Sequence, residues 1–132
     1  KNIKIALAHP QVPIGMYSQK VLENYRQDKN FGNKFVESVY SNVITKELDV
    51  KSILNKVILK EADAGILYIT DIKNSKDRVN MLVINPDKNV STVYFIAAIK
   101  NGQYPEESKA FIDYVLSSKG KEILKKHYYQ TN

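Results

Sequence analysis

The side chains with chemistry to offer are few and widely spaced. The chain holds two histidines, His9 and His127, fourteen aspartates and glutamates, nine tyrosines and no cysteine. Without cysteine there is no disulfide, no thiolate metal site and no thiol nucleophile. His9 and His127 stand near opposite ends of the chain with no partner motif around either, so neither reads as a metal ligand or a general base. Asp63 and Asp71 flank the apolar run 64–69. Paired carboxylates would suggest acid–base work or a cation site, but an extended run holds these two at opposite ends of a strand, where turn roles fit them better. No G-x-S-x-G, no P-loop and no G-x-G-x-x-G occurs, so nothing assembles a nucleophile with a base or cradles a nucleotide. The residues lead to the expectation that the protein is not an enzyme and carries neither a cofactor nor a metal.

Composition narrows the class further. The 132 residues, 43% hydrophobic and 26% charged, are enough for one domain with a real core and too few for two full ones. The net charge is +6. It reads as a lysine-rich solvated surface that gathers anions at long range, subject to salt screening, with no nucleic-acid partner expected. Lys119, Lys121, Lys125 and Lys126 alternate with Ile123 and Leu124, as on an amphipathic helix. No apolar run approaches the roughly 18 residues of a membrane span. Lys1-Asn2-Ile3-Lys4 leads straight into a strand-like run, so any signal or lipid anchor is expected to have been removed or never included.

These groups need elements to position them. Residues 3–8 read as a strand, ended by His9-Pro10. Tyr17, Val21, Leu22 and Tyr25 recur at helical spacing, which predicts a helix from Ile14 or Gly15 to about Tyr25. Residues 28–34 read as loop or one short turn, and 35–40 as a short strand. Asp49 is a good N-cap for an amphipathic helix carrying Val50, Ile53, Leu54, Val57 and Ile58. Residues 64–69 read as the central strand and 73–78 as a polar loop. Further strands are predicted at 81–84 and 90–99, with a turn at Asn85-Pro86-Asp87 between them. Two helices close the chain, one over 106–116 with Ala110, Phe111, Tyr114 and Val115 inward, the other over about 119–128. The order predicts an α/β fold with a mostly parallel sheet, whose ligands sit beyond the carboxyl ends of strands at helix N-termini.

Three segments carry a family resemblance. Residues 5–17, I-A-L-A-H-P-Q-V-P-I-G-M-Y, hold a strand, a proline turn and a P-x-G-x-Y helix start. D-V-K-S-I-L at 49–54 and E-A-D-A-G-I-L-Y-I-T-D at 61–71 hold a second helix start and a strand. Residues 110–124 resemble the C-terminal helix pair of many binding proteins. In that order they resemble the molybdate/tungstate-binding proteins of the type II periplasmic-binding-protein fold. The resemblance implies a ligand-binding lobe over 1–99, with hinge strands at about 3–8 and 92–99. It assigns 100–132 to helices of the other lobe. It also implies a further half-lobe ahead of the first hinge strand, carrying two hydroxyl-bearing anion contacts. The chain is therefore expected to be an incomplete binding unit whose exposed helices favour a homodimer. Position 9 is His where the family often has Asn or Asp, and position 14 is Ile where it is often small.

The resemblance also names a site. It implies that the backbone N–H groups of Ile14 and Val50 and the phenol O–H of Tyr68 bind a tetrahedral oxyanion, molybdate or tungstate. Such a dianion needs donors only, and helix starts supply free N–H groups and a favourable dipole end. Read alone, Tyr68 is a strand tyrosine capping a core, Val50 a first-turn apolar residue and Ile14 a staple-like contact. The function implied is an extracytoplasmic receptor, periplasmic or lipid-anchored, that feeds an ABC permease in the membrane. The same fold also serves as the effector-sensing domain of transcription regulators, and as a receptor for sulfate or small organic anions.

Overall fold

The computed structural model describes residues 3–131; Lys1, Asn2 and Asn132, with the reading of the N-terminal leader, lie outside the described residues. The chain divides into two compact units, one through Ser91 and one from Thr92 onward.

The first unit is α/β. Its elements are β1 (Ile5–Ala8), α1 (Pro13–Arg26), α2 (Gly32–Ser41), β2 (Val43–Glu47), α3 (Val50–Ile58) and β3 (Ala64–Gly65). The three strands form a parallel sheet in the order β2-β1-β3. Alternation along β1 explains the layers, because successive side chains leave a strand on opposite faces. Ala6 and Ala8 face a cluster with Ile14, Ile53 of α3 and Ala62. Leu7 faces the other way, into a cluster with Leu22 of α1 and Val36 of α2. The sheet is thus covered by α3 on one face and by α1 and α2 on the other. Ile53 and Val36, the largest side chains completely removed from solvent, anchor the two faces.

Local chemistry explains most boundaries. Pro13 opens α1, where its missing N–H costs nothing. Asp49 caps α3, its carboxylate accepting from Ser52 N–H at 2.9 Å and from the Ser52 hydroxyl at 2.7 Å. These bonds hold the Asp49 carboxyl below the usual carboxylate range, the hydroxyl contributing most. The turn at 85–89 forms as the sequence implied: Lys88 and Asn89 N–H both donate to Asn85 O at 2.9 Å. Lys88 then clips this turn to the end of α1. Its ammonium lies 2.7 Å from the Asp28 carboxylate, and its carbonyl accepts from Asn24.

Four expectations need correcting. Residues 35–40 are helix, not strand: Val36, Val39 and Tyr40 fall at i, i+3 and i+4 and pack together on the cluster around Leu7. Gly32, at φ +65°, makes the left-handed turn that starts this helix. The strand lies instead at 43–47, where Val43, Thr45 and Glu47 turn inward and Ile44 and Lys46 outward. The central strand 64–69 pairs only at Ala64 and Gly65, since the chain turns at once between Tyr68 and Asp71. Residues 81–84 and 90–99, including the expected hinge strand 92–99, form no ladder among the described residues. Extended apolar chain becomes a strand only within a ladder of paired backbone groups, and among the described residues the ladders join β1, β2 and β3.

The second unit holds α4 (Pro105–Leu116) and α5 (Ser118–Lys126), joined at a tight corner where Ser117 ends one helix and caps the next. Gly120 is buried there against the carbonyls of Tyr114 and Val115. The face expected to point inward is open instead: Phe111 is 62% exposed and Tyr114 46%. The preceding apolar stretch is open as well, with Phe95 91% exposed. No helix among the described residues is long and apolar enough to cross a membrane.

Two substitutions test this arrangement. Ile53→Ala empties a fully buried site and should cost about 2–5 kcal/mol in urea unfolding. A loss no larger than that of an exposed control would mean α3 does not pack as described. Gly15→Ala places a Cβ 2.0 Å from the His9 carbonyl oxygen. It should destabilise by about 1–3 kcal/mol, as overpacking does; an unchanged midpoint would show that α1 starts elsewhere.

Candidate functional site: the carboxyl edge of the sheet

Because β1, β2 and β3 run parallel, their carboxyl ends share one edge of the sheet. Each strand leads into one of the three residues singled out in the sequence. After β1, the chain turns at His9-Pro10 and enters α1, with Ile14 as its second residue. After β2, Asp49 caps α3, whose first residue is Val50. After β3, Tyr68 stands at the start of the turn to Asp71. Ile14 is buried, Val50 and Tyr68 are half-buried, and all three pack in the cluster formed with Ala6, Ala8 and Ile53.

The α1 start is fixed by close contact. Gly15 lies so near the end of β1 that any side chain would collide with the backbone of His9 and Ala8. Val12 N–H donates to His9 O at 3.1 Å, and His9 N–H donates to Glu47 O at 2.7 Å, tying the ends of β1 and β2 together. Ile14 and Val50 fall within the first turns of their helices, where backbone N–H groups have no intrahelical acceptor. These groups carry the positive end of the helix dipole. At α3, the Asp49 carboxylate engages Ser52 N–H and leaves Val50 ahead of that bond. The arrangement offers donors toward one edge, as an anion requires and a cation does not.

Tyr68 is held by its ring. It meets Tyr17 of α1 edge-on, with centroids 6.3 Å apart and an interplanar angle of 66°. Such contacts fix a ring more firmly than area burial alone. Tyr17 was read in the sequence only as a helix-face residue; its place in P-x-G-x-Y was the available signal. Lys51, the second residue of α3, carries no motif signal in the sequence beyond its place in D-V-K-S-I-L. It brings a positive charge to the same edge and acts on the Asp71 carboxylate.

The remaining candidates take the turn roles expected of them. Asp63 accepts from Lys4 N–H at 2.8 Å, at the opposite, amino end of the sheet. Asp71 sits beyond Tyr68. Burial pushes its carboxyl above the usual carboxylate range, and the Tyr68 N–H and Lys51 oppose that shift. His9 accepts from Gln11 N–H through Nδ1 at 3.3 Å. Among the described residues, no group of three or more His, Asp or Glu could hold a metal. A cavity of about 240 Å³ between α1, α2 and the sheet is lined by apolar residues such as Leu22, Tyr25, Phe35 and Ile66, and none of Ile14, Val50 or Tyr68 reaches it.

Comparison with known proteins bears on the family. The family model described as bacterial extracellular solute-binding protein matches residues 1–130. The molybdate-binding protein ModA of Mycobacterium bovis is 26% identical over 123 residues, covering 93% of this chain and 42% of that protein. The putative ABC transporter substrate-binding lipoprotein YvgL of Bacillus subtilis is 29% identical, covering 94% of this chain and 45% of that protein. The molybdate-binding protein ModA of Haemophilus influenzae is 28% identical, with the same coverages. The chain therefore spans less than half the length of the relatives it matches. No solved structure matches it. The resemblance read from the ordered segments stands, and the chain belongs to the bacterial extracellular solute-binding protein family.

Proposed function

We propose that the protein is an extracytoplasmic receptor for a tetrahedral oxyanion of the molybdate and tungstate type, which it delivers to an ABC permease. The observation that carries this reading is the convergence of two helix starts and Tyr68 on the carboxyl edge of one parallel sheet, around one apolar cluster. Two relatives named molybdate-binding proteins, and a third named as a substrate-binding lipoprotein of an ABC transporter, support it. The reading contains no catalytic step: the anion is bound, carried and released unchanged.

The chemistry follows from the donor set. The N–H groups of Ile14 and Val50 and the phenol of Tyr68 donate to oxyanion oxygens. Hydrogen bonds to a charged group contribute roughly 1.5–3 kcal/mol each. A few such bonds therefore give useful affinity without a lysine in direct contact. A site made only of donors also discriminates. Hydrogen phosphate brings an O–H that finds no acceptor, a penalty of about 1–3 kcal/mol. The apolar cluster beneath the site keeps water away and strengthens each of these bonds. Lys51 and the net charge of +6 draw anions toward the protein at low salt.

In the protein expressed from its full open reading frame, Tyr68→Phe should weaken molybdate binding by about 1–3 kcal/mol, roughly 5- to 150-fold, with little change in thermal stability. The hydroxyl is lost while the ring and its contact with Tyr17 remain. Calorimetric titration with molybdate, tungstate and sulfate measures this and ranks the three anions. Unchanged molybdate affinity in the variant would remove Tyr68 from the site. Stronger binding of sulfate than of molybdate would move the receptor to another oxyanion class.

A further inference from the structure

We infer that Tyr17 is a positioning residue for this anion site: its ring couples the Tyr68 phenol to the opening turn of α1, and so sets the spacing between the Tyr68 and Ile14 donors. The inference rests on the oxyanion reading above and adds a residue that acts through another. The observation that carries it is the ring pair. The Tyr17 and Tyr68 rings meet edge to face, with centroids 6.3 Å apart and planes at 66°. Both residues are half-buried.

A side chain can position another only if it is itself seated. Tyr17 stands three residues after Ile14, so the two are neighbours on the surface of one helix. Helical side chains lean toward the N-terminus, which carries the Tyr17 ring back toward the end of α1 that follows β1. That end cannot slide inward. A Cβ on Gly15 would lie 2.0 Å from the His9 carbonyl oxygen, so the opening turn already rests on the backbone that leaves β1. Ile14 is 4% exposed and packs with Ala6, Ala8 and Ile53. Ser18 is buried as well, and its hydroxyl donates to the Ile14 carbonyl at 2.7 Å. Tyr17 therefore projects from a firmly seated turn.

The partner ring belongs to a different segment. Tyr68 follows β3 and packs on the same cluster as Ile14. Both tyrosines have further interactions, so the ring pair is one support among several and its loss should cost part of the affinity. Its particular contribution is direction. Burial against aliphatic side chains is non-directional, whereas an aromatic pair prefers a limited set of ring arrangements. A phenol hydroxyl moves with its ring, and a hydrogen bond weakens steeply as its angle departs from straight. The pair joins the helix start that presents one donor to the ring that presents the other. An anion that spans both gains from a spacing fixed before it arrives, because donors already in place need no ordering on binding.

The test is calorimetric titration with sodium molybdate on the protein expressed from its full open reading frame, with variants Tyr17→Leu, Tyr17→Phe, Tyr68→Phe and the double variant Tyr17→Leu/Tyr68→Phe. Tyr17→Leu should weaken binding about 3- to 10-fold, the range of one aromatic pair. Tyr17→Phe keeps the ring and should stay within about twofold of wild type. In the Tyr68→Phe background the leucine substitution should change affinity by less than about twofold, because a residue that acts through the phenol has nothing left to aim. Wild-type affinity in Tyr17→Leu overturns the inference. So does a phenylalanine variant as weak as the leucine one, or a full leucine effect in the Tyr68→Phe background. If Tyr68→Phe weakens binding while Tyr17→Leu does not, the site stands and only the role of the ring pair falls. If Tyr68→Phe is itself silent, the site reading fails and takes the inference with it. Should Tyr17→Leu lose its cooperative melt, nuclear Overhauser contacts in the wild-type molybdate complex decide. Ring-to-ring contacts between Tyr17 and Tyr68 that persist in the complex support the inference, and rings that separate on binding overturn it.

Discussion

Two close approaches fix where the helices can begin. A Cβ on Gly15 would fall on the carbonyl of His9, and one on Gly65 would fall 2.5 Å from the Ile53 side chain. The first contact seats the opening turn of α1 on the carboxyl end of β1. The second seats α3 flat against β3. With Ala6 and Ala8 as the small residues between them, both helices come down on the same strip of sheet. Close-packed interiors tolerate little slack, so the positions of the two helix starts are set to within a fraction of a side chain. The donors of Ile14 and Val50 are backbone groups, and only backbone placement can aim them. The core of this unit is thus already the device that orients its proposed ligand contacts.

How much of this was legible in the sequence depended on whether the signal was local. The α3 start was visible because Asp49 bonds to a residue three positions on, and α1 because Pro13 and the spacing of Val21, Leu22 and Tyr25 are local facts. The parallel pairing of the sheet was legible too, since strand–helix alternation dictates it. The second helix was misread because 35–40 holds Phe35, Val36, Val39 and Tyr40, a run too short to separate the two periods until Leu7 and Leu22 receive Val36 from outside. The strand at 43–47 was missed because Ile44 and Lys46 face out and blur its alternation. The apolar runs at 81–84 and 90–99 failed differently. Their composition suits strands, but pairing is a property of two segments, and a run read alone says nothing of its partner. Asp71 was legible as a turn residue, but the reverse turn to Tyr68 comes sooner than the sequence implies and shortens a strand expected to run on to 69.

The second unit has a different energetic character from the first. Phe95, Ile99, Phe111 and Leu116 lie largely open to solvent, where each forgoes about 1.5–3 kcal/mol that burial would provide. The first unit shows the opposite balance, with Val36 and Ile53 fully withdrawn from water. The α4–α5 corner is nevertheless well made: Ser117 donates to Tyr114 O at 2.6 Å and caps Gly120 N–H at 3.2 Å. Local hydrogen bonding therefore specifies this helix pair without a core of its own. Short-range capping and long-range packing are separable, and the chain shows the first without the second over its last forty residues.

Carboxylates beside a proposed anion site look at first like an argument against it. Asp49 stands at the mouth of α3, Asp71 just past Tyr68, and each brings a negative charge to the edge where a dianion would bind. Their partners resolve the conflict. The Asp49 carboxylate is occupied by the hydroxyl and N–H of Ser52, and these bonds hold its proton affinity low. At Asp71, the Tyr68 N–H and Lys51 favour the charged carboxylate against the cost of burial. Each is therefore engaged by the loop or helix end beside it. Had the same charges been placed on side chains free to swing into the edge, the repulsion would remain uncompensated. Held as they are, they belong to the turns that lead into Val50 and out of Tyr68.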